Sequence, residues 1–257
     1  SWISRNANMS NHKFGGAWTD QKLSILREYL HFYTTALKGA PFKLIYIDAF
    51  AGTGRCTIQR RGSETTIDGS ARLALDNFPA FHEFFFIEKK PKHVRALKEL
   101  LSQHRAGVSS TIIEGTADGE LTHVLAAQSW KSTRGVLFLD PYGLQCSWST
   151  VQQIAATQAL DVFFLVSLSG LYRQATNDLR DADESKVRAL TRFLGTDDWM
   201  RELYQAQGGL WGEETHHRHA DAMGLARYVQ RRLDTCFAKV LEPTILYRTE
   251  ANGKVGP

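Results

Sequence analysis

The chain has 257 residues, a formal net charge of +4 at pH 7 and three widely spaced cysteines, Cys56, Cys146 and Cys236. Apolar residues make up 43% and charged residues 23%, which is typical of a globular protein and excludes disorder as the default. The cysteine spacing excludes a disulfide framework or a CxxC knuckle and favours a reducing, cytoplasmic compartment. No apolar stretch reaches the roughly 18 to 20 residues that span a bilayer, so we expect no membrane partner.

Helix and strand patterns alternate along the first two thirds of the chain. A helix is predicted from residue 19 or 20 to residue 37, because Leu23, Leu26 and Leu30 share one stripe. Continuous apolar runs then alternate with amphipathic segments: strands at 44–48, 84–88, 111–115, 135–140 and 161–169, and helices at 69–78, 91–104, 119–128 and 149–160. This alternation predicts an α/β fold with a doubly wound, mostly parallel, Rossmann-like sheet.

The alternation of strands and helices ends after residue 169. Helices are predicted at about 183–194, 197–207 and 217–238, followed by a strand at 243–250 and the turn signal Ala251-Asn252-Gly253. No partner strand is expected after that turn. We therefore expect four segments: an N-terminal extension and helix at 1–40, an α/β core at 41–170, a helical insertion at 171–240, and a terminal strand of the core sheet, truncated in its hairpin, at 241–257.

A glycine turn follows the first predicted strand, in the stretch YIDAFAGTGRC (46–56). Glycine has no Cβ, so Gly52 and Gly54 would let backbone N–H groups approach a ligand closely. The Lys-Ser/Thr of a P-loop is absent, and Thr57 stands where a dinucleotide fingerprint needs its third glycine. Asp48 followed by F-x-G-x-G suits a ligand with a charged amino-acid portion; a tight strand–helix connection is the alternative.

Three further carboxylates follow successive predicted strands. Glu88 ends the second strand, where it can accept the hydroxyls of a ribose; Asp118 follows the third, placed to bond an adenine amino group; Asp140 ends the fourth in LFLDPYG. Together with Asp48 they predict a ligand site at the carboxyl edge of the sheet, where ligands bind in open α/β sheets. A helix cap or a solvated loop is the alternative for any one of them.

These motifs resemble those of class I S-adenosylmethionine-dependent methyltransferases. DAFAGTGR looks like their motif I and FIE like their ribose-binding motif, while LFLDPYG is similar to motif IV of enzymes that methylate exocyclic amines of bases. The segments FGGAWTDQKLSILREYL, FIEKKPKHVRALKELL, FLDPYGLQCSWSTVQQIA and SLSGLYRQA extend the likeness, over about residues 14–250, to the three-Cys-motif partner protein family. The second proline of the adenine-specific pattern is absent after Pro141, so both adenine N6 and guanine N2 stay open as targets.

The resemblance implies a cofactor, S-adenosylmethionine, and a set of residues that bind it: Asp48, Phe50, Ala51, Gly52, Gly54, Glu88, Lys89 and Asp118. It implies that Asp140, Pro141 and Tyr142 are catalytic. Asp140 and the Pro141 carbonyl would accept the two amine hydrogens, and Tyr142 would stack on the base. Trp18 and Lys22 resemble an element that covers the methionine end of the cofactor; core packing for Trp18 and a solvated Lys22 are the preferred interpretation.

Basic residues predict contacts with a phosphate backbone. The residues expected to bind substrate are Arg55, Arg60, Arg61 and Arg173, the first three in a long loop at 55–68; Arg173 can alternatively pair with Asp178. Further candidates are Lys89, Lys90, Lys92, Arg227, Arg231 and Arg232, the last two more typical of a solvated helix face. His216, His217 and His219 lack the spacing of a metal site, so no metal is expected.

The sequence thus favours a methyltransferase that acts on an exocyclic amine of a base in DNA or RNA. The alternative is a methyltransferase-fold subunit that works only with a partner protein. The predicted insertion leaves room for such a partner, since a partly apolar surface is expected at Trp199, Tyr204, Leu210 and Trp211. A small-molecule methyltransferase is the third possibility, and it is disfavoured because the DPYG motif suits a planar amine.

Overall fold

The structure is a computed structural model that describes residues 17–60, 63–104, 109–208, 214–246, 248–249 and 255–256. Its strands are β1 Lys43–Asp48, β2 Arg55–Arg60, β3 Ser63–Asp68, β4 Glu83–Glu88, β5 Ser110–Glu114, β6 Thr133–Leu139, β7 Leu160–Phe164, β8 Tyr204–Gly208, β9 Glu214–Arg218, β10 Arg248–Thr249 and β11 Val255–Gly256. Its α-helices are α1 Ala17–Ala36, α2 Ser70–Leu75, α3 Pro91–Gln103, α4 Ala117–Ala126, α5 Trp148–Ala156, α6 Leu168–Gln174, α7 Glu184–Leu194, α8 Trp199–Leu203 and α9 Ala222–Asp234.

Five parallel strands form the central sheet in the order β5-β4-β1-β6-β7. Chain order therefore reverses between β1 and β6, at the topological switch point where open α/β sheets bind ligands. Asp48 at the end of β1 pairs with Phe86 of β4 and with Phe138 of β6, so these three strands end at the same edge. The predicted doubly wound, parallel α/β fold is confirmed.

Both faces of the sheet are buried, which explains the continuous apolar runs. Even-numbered positions of β1, such as Tyr46, pack with residues of α1, α2 and α3 in one core. Odd-numbered positions, such as Ile47, pack with residues of α4 and α5 in a second core. A third core joins α6 to α9 around Trp199 and Tyr228. Alternate residues of one strand thus stabilise opposite layers.

Several predicted elements have different bounds or a different type. The predicted strand 161–169 ends with β7 at Phe164, because Ser167 accepts a hydrogen bond from the Gly170 N–H and caps α6. The predicted loop 55–68 contains an antiparallel pair, β2–β3, with its turn residues outside the described part. The segments predicted as helices at 197–207 and 217–238 hold only α8 and α9, and β8 pairs with β9 beside them.

The expectation for 241–257 is wrong in two respects. Residues 241–246 form no strand, and β10 pairs antiparallel with β11 in a sheet of its own instead of joining the core sheet. β11 is also the partner strand that was expected to be missing. The turn residues Ala251-Asn252-Gly253 lie outside the described residues.

The predicted apolar surface of the insertion is also corrected. Trp199 is 0% exposed and Tyr204 is 3% exposed, because both lie in the third core. Leu210 and Trp211 lie outside the described residues. Among the helices that the structure describes, none is both long and apolar enough to cross a membrane.

Candidate functional site at the carboxyl edge of the sheet

The glycine turn between β1 and β2 uses its two glycines for different purposes. Gly52 and Gly54 have φ angles of +62° and +73°, in the left-handed region that disfavours side chains. A Cβ on Gly54 would lie 2.4 Å from Leu100 Cδ2, so Gly54 lets the turn pack directly on α3. A Cβ on Gly52 would meet nothing within 4 Å, so the space beside Gly52 is open to a ligand.

Asp48 supports this turn from inside the protein. Its side chain is fully buried and accepts hydrogen bonds from the Phe50 N–H at 3.2 Å and the Tyr46 hydroxyl at 3.4 Å. Burial raises the pKa of the Asp48 carboxyl to about 7, although the hydrogen bonds it accepts, including one from Ser70, oppose the shift. Asp48 therefore shapes the turn and has no surface of its own for a ligand.

Glu88 holds the turn from the neighbouring strand. Its Oε2 accepts from the Gly52 N–H at 2.9 Å and its Oε1 from the Lys90 N–H at 2.8 Å, with His93 Nδ1 3.5 Å from Oε1. The Ala51 N–H also donates to the Ile87 carbonyl, at 3.0 Å. A carboxylate has about four acceptor positions, so Glu88 keeps capacity for the hydroxyls of a ligand.

Asp140 is paired with a lysine from the far N-terminal helix. Lys22 Nζ lies 2.5 Å from Asp140 Oδ2 and 4.5 Å from the centre of the Trp18 ring. The Lys22 side chain is 8% exposed, against 31% for Asp140, so the preferred interpretation of a solvated Lys22 is wrong. The other carboxylate oxygen, Oδ1, has no partner among the described residues and is available to a substrate.

The turn after Asp140 presents an aromatic ring to solvent. Pro141 is buried, whereas Tyr142 is 84% exposed, the highest fraction among the large hydrophobic residues of the described part. Gly143 follows with a φ of +72°, and its Cα lies 3.3 Å from where a Cβ on Gly170 would be. The turn thus packs against α6 and leaves Tyr142, two residues after Asp140, exposed to solvent.

Asp118 does not join the other three carboxylates at a strand end. It lies in the first turn of α4, and its Oδ1 accepts from the Ser147 N–H at 3.0 Å and the Thr150 hydroxyl at 2.7 Å. Its Oδ2 pairs with Arg192 of α7. Asp118 therefore connects α4, α5 and α7, which gives it a structural role that the sequence does not indicate.

The basic residues expected to bind substrate fall into separate places. Arg55 is exposed at the start of β2, and Arg173 is exposed on α6 while Arg180 takes the predicted partner Asp178. Arg60 ends β2, and Arg61 lies outside the described residues. Lys89 is exposed next to Glu88.

The arginines of α9 make specific contacts instead of forming only a solvated face. Arg231 pairs with Glu202 at 2.9 Å. The Arg232 Nε–H donates to the Leu194 carbonyl at 2.9 Å, and its guanidinium lies 4.8 Å from the Trp148 ring. Both side chains therefore stabilise the third core more directly than they offer charge to a ligand.

Lys22 and Cys56 lie at the site, and motif spacing in the sequence does not predict their positions there. Lys22 is 118 residues from Asp140, and no spacing rule connects them. Cys56 lies close enough to Lys22, Asp140 and Asp48 to interact with their charges, and burial raises the pKa of its thiol. The resemblance of Trp18 and Lys22 to a cofactor-covering element was a sequence signal for Lys22, and none pointed to Cys56.

No metal site is found in the part of the chain that the structure describes, where no group of three or more His, Cys, Asp or Glu residues could hold an ion. The histidines of HHRHA do not begin a helix as predicted. His216 and His217 lie in β9, where successive side chains point to opposite faces of a strand.

Comparison with known proteins gives likeness of fold alone. Neither a family model nor a curated protein matches the chain. Among solved structures, yhhF of Escherichia coli is 17% identical with a TM-score of 0.35, over 77% of this chain and 86% of that one. Magnesium protoporphyrin IX methyltransferase (ChlM) of Synechocystis PCC 6803, solved with bound SAH, is 13% identical with a TM-score of 0.36, over 84% and 90%. A conserved hypothetical protein of Streptococcus pyogenes is 17% identical with a TM-score of 0.31, over 51% and 69%.

Proposed function

We propose that this protein is an S-adenosylmethionine-dependent methyltransferase that methylates an exocyclic amine of a nucleic-acid base. The observation that carries the proposal is the juxtaposition of a ligand-accessible glycine turn, Glu88 and Asp140 at the ends of three adjacent strands. Tyr142 stands exposed beside Asp140. The sequence prediction rests on a resemblance to the three-Cys-motif partner family.

The residues at the glycine turn fit the proposed cofactor. Gly52 gives a close approach with no Cβ in the way, and its own N–H is already bound by Glu88. The remaining acceptor positions of Glu88 suit the two hydroxyls of a ribose. Exposed Lys89 adds a cation beside that position. The carboxylate of Asp118 already binds Arg192, the Ser147 N–H and the Thr150 hydroxyl, so we assign it no contact with the adenine ring.

When bound, S-adenosylmethionine supplies an electrophilic methyl group, so the protein has to position the amine and take up its charge. Asp140 Oδ1 accepts one hydrogen of the amine, and the Pro141 carbonyl accepts the other. These two hydrogen bonds would favour a tetrahedral amine nitrogen whose lone pair is free to react with the methyl carbon. Transfer of the methyl group would break its bond to the sulfonium sulfur and leave a neutral thioether, and the proton that the amine loses would pass through Asp140 to water. Lys22 fixes Oδ2, which keeps Oδ1 in one orientation.

Tyr142 supplies the surface for the base. Its ring is 84% exposed next to the amine-binding carboxylate, and aromatic rings stack on bases that are unpaired or flipped out of a duplex. Such stacking contributes about 1–3 kcal/mol per base. A planar heterocycle is therefore favoured over a small aliphatic amine.

The test is transfer of a tritiated methyl group to total DNA and total RNA, followed by digestion to nucleosides. The proposal predicts label in N6-methyladenine or N2-methylguanine with the wild type and none with Asp140→Asn. Asp197→Asn changes the same functional group at an exposed position of the insertion and should behave as the wild type. Label that appears only in small molecules, or equally with Asp140→Asn, would overturn the proposal.

A further inference from the structure

We propose that the exposed face of α3 carries the phosphate backbone of the nucleic-acid substrate, past the glycine turn and towards Asp140. This inference rests on the proposed function and adds the path of the substrate over the surface. It singles out one group of cations, which we call the α3 basic face: Lys89 and Lys90 directly before α3, and Lys92, Arg95 and Lys98 on it.

The cations of the α3 basic face take part in no ion pair with the described residues, unlike several cations of the insertion. All five side chains are exposed, and none makes a salt bridge within the described residues. By contrast, Arg188, Arg201 and Arg231 on the insertion are each paired with a glutamate or aspartate. Unpaired cations offer their whole charge to phosphate, because no internal bond has to break first.

The geometry places this face beside the site. The start of α3 is anchored there, since the Lys90 N–H donates to Glu88 Oε1 at 2.8 Å. Further along, Leu97 and Leu100 of α3 contact the glycine turn, where a Cβ on Gly54 would lie 3.7 Å and 2.4 Å from them. Exposed Arg55 follows Gly54 directly and extends the positive charge towards the hairpin of β2 and β3.

The spacing of the charges suits a phosphodiester backbone. Lys92, Arg95 and Lys98 recur every three residues, so they share one side of the helix. They span roughly 9 Å at 1.5 Å per residue, a length in which one strand of a duplex places about three phosphates at an axial spacing of 3.4 Å. The two preceding lysines lengthen the track towards Glu88.

Two other partners for a basic helix fit less well. An amphipathic helix that lies on a membrane needs an exposed apolar face. On α3 the apolar residues Val94, Leu97 and Leu100 are buried in the protein, and no exposed large hydrophobic residue in the described part of the chain lies on this helix. The second partner, an acidic protein surface, would not explain the exposed aromatic ring of Tyr142 at the same sheet edge. A nucleic acid would explain it, because bases stack on aromatic rings.

The experiment compares two triple variants of the whole chain by fluorescence anisotropy. Lys92→Gln, Arg95→Gln and Lys98→Gln together remove three cations from α3 and leave Lys89 and Lys90, which lie next to the proposed cofactor position, unchanged. Lys186→Gln, Arg188→Gln and Arg201→Gln remove three cations from α7 and α8 as the control. The probes are a labelled DNA duplex, its single strand and the RNA of the same sequence, between about 50 and 200 mM salt.

We expect the α3 variant to lower the slope of log affinity against log salt by about 2 to 3, since each lost phosphate contact removes about 0.9 on duplex DNA and about 0.7 on single strands. The control variant should keep the wild-type slope. The probe bound most tightly by the wild type identifies DNA or RNA as the source of the phosphates. Equal slopes for wild type and α3 variant, or an equal loss in the control, would overturn the inference.

Two additional measurements keep the outcomes separable. Single Lys98→Gln should lower the slope by about 1, which tests the face even if the triple variant unfolds. Wild-type protein that sediments with phosphatidylserine vesicles and leaves all three nucleic acids free would also overturn the inference. Binding of S-adenosylmethionine with unchanged α3 slopes would refute this face alone, whereas nucleic-acid binding through α3 without any cofactor binding would refute the methyltransferase.

Discussion

Different interactions hold the carboxylates in the two halves of the carboxyl edge of the sheet, one half beside β1 and β4 and the other beside β6. On the side of β1 and β4, Asp48 and Glu88 accept hydrogen bonds from backbone N–H groups of the glycine turn that follows β1. On the side of β6, Asp140 pairs with Lys22 of α1, and in α4 Asp118 pairs with Arg192 of α7. The first half is therefore fixed by hydrogen bonds to the backbone of one turn, and the second depends on ion pairs with other helices.

This difference separates the tasks of the two halves. Backbone N–H donors shape a turn and leave its outer side free, which suits recognition of a ligand that does not react. A paired carboxylate with one unoccupied oxygen, as at Asp140, is oriented and still available, which suits chemistry on a substrate. Substitutions in each half should therefore have different consequences.

Loss of Asp140 should have the largest effect. Asp140→Ala removes the acceptor of the amine and should lower methyl transfer by about 10²–10³-fold, as does loss of one preorganised polar group elsewhere. It also leaves Lys22 buried without a partner, which costs about 3–5 kcal/mol for a fully buried pair and less here because Asp140 is 31% exposed.

A double variant separates these two consequences. Lys22→Met with Asp140→Ala replaces the pair by apolar groups and should recover most of the thermal stability, measured by calorimetry, without recovering methyl transfer. Methyl transfer restored together with stability would show that Asp140 acts only in folding.

The buried carboxyl of Asp48 should make stability depend on pH. Its pKa is raised from the ordinary value near 4 to about 7, so the folded protein binds a proton that the unfolded chain has lost. The free energy of unfolding should therefore fall as pH rises from about 4 to about 7, by on the order of 4 kcal/mol for a shift of about three units.

Asp48→Asn keeps the acceptor for Phe50 and Ser70 but does not ionise. Urea unfolding at several pH values should show a flatter pH dependence in this variant than in the wild type. Identical pH profiles for the two proteins would contradict a raised pKa in the folded state.

The two glycines of the turn provide a matched pair. Gly54→Ala adds a Cβ that meets Leu100 and should destabilise the protein by about 1–3 kcal/mol, as overpacking does. Gly52→Ala meets nothing and should cost about 1 kcal/mol, from the left-handed φ alone. Thermal melting checks the order of the two variants, and a Gly52→Ala protein less stable than Gly54→Ala would contradict the packing of the turn on α3.

Asp118 and Arg192 should differ although they form one pair. Asp118→Ala leaves the Ser147 N–H and the Thr150 hydroxyl without an acceptor and should cost about 1–3 kcal/mol. Arg192→Gln removes only a partner that is 51% exposed and should cost less than about 1 kcal/mol. Equal losses in denaturant unfolding would mean that the ion pair, and not the link between α4 and α5, stabilises this half.

The same contrast explains what could be predicted from the sequence. The strands, the glycine turn and Glu88 were accessible because apolar runs and motif spacing report local structure. Asp118 was predicted to bind the ligand from its position after a strand, and that position does not show that Ser147, Thr150 and Arg192 would bind it. Lys22 and Trp199 were misjudged because their burial depends on packing between segments that are far apart in the chain.

The segment 241–257 shows a further limit. A β-branched, aromatic run such as PTILYR predicts a strand, but strand propensity does not specify which sheet provides the partner. In the structure 241–246 form no strand, and β10 pairs with β11.

Calorimetric titration of S-adenosylmethionine measures whether the glycine turn binds the cofactor. The wild type should bind the cofactor, and the double variant Gly52→Val, Glu88→Ala should lose that binding, because it fills the open side of the turn and removes the acceptor for the ribose. Asp140→Asn should bind nearly as the wild type, since it lies in the other half of the edge. A wild type that binds no cofactor, or a double variant that binds it equally well, would contradict the assignment of the glycine turn to S-adenosylmethionine.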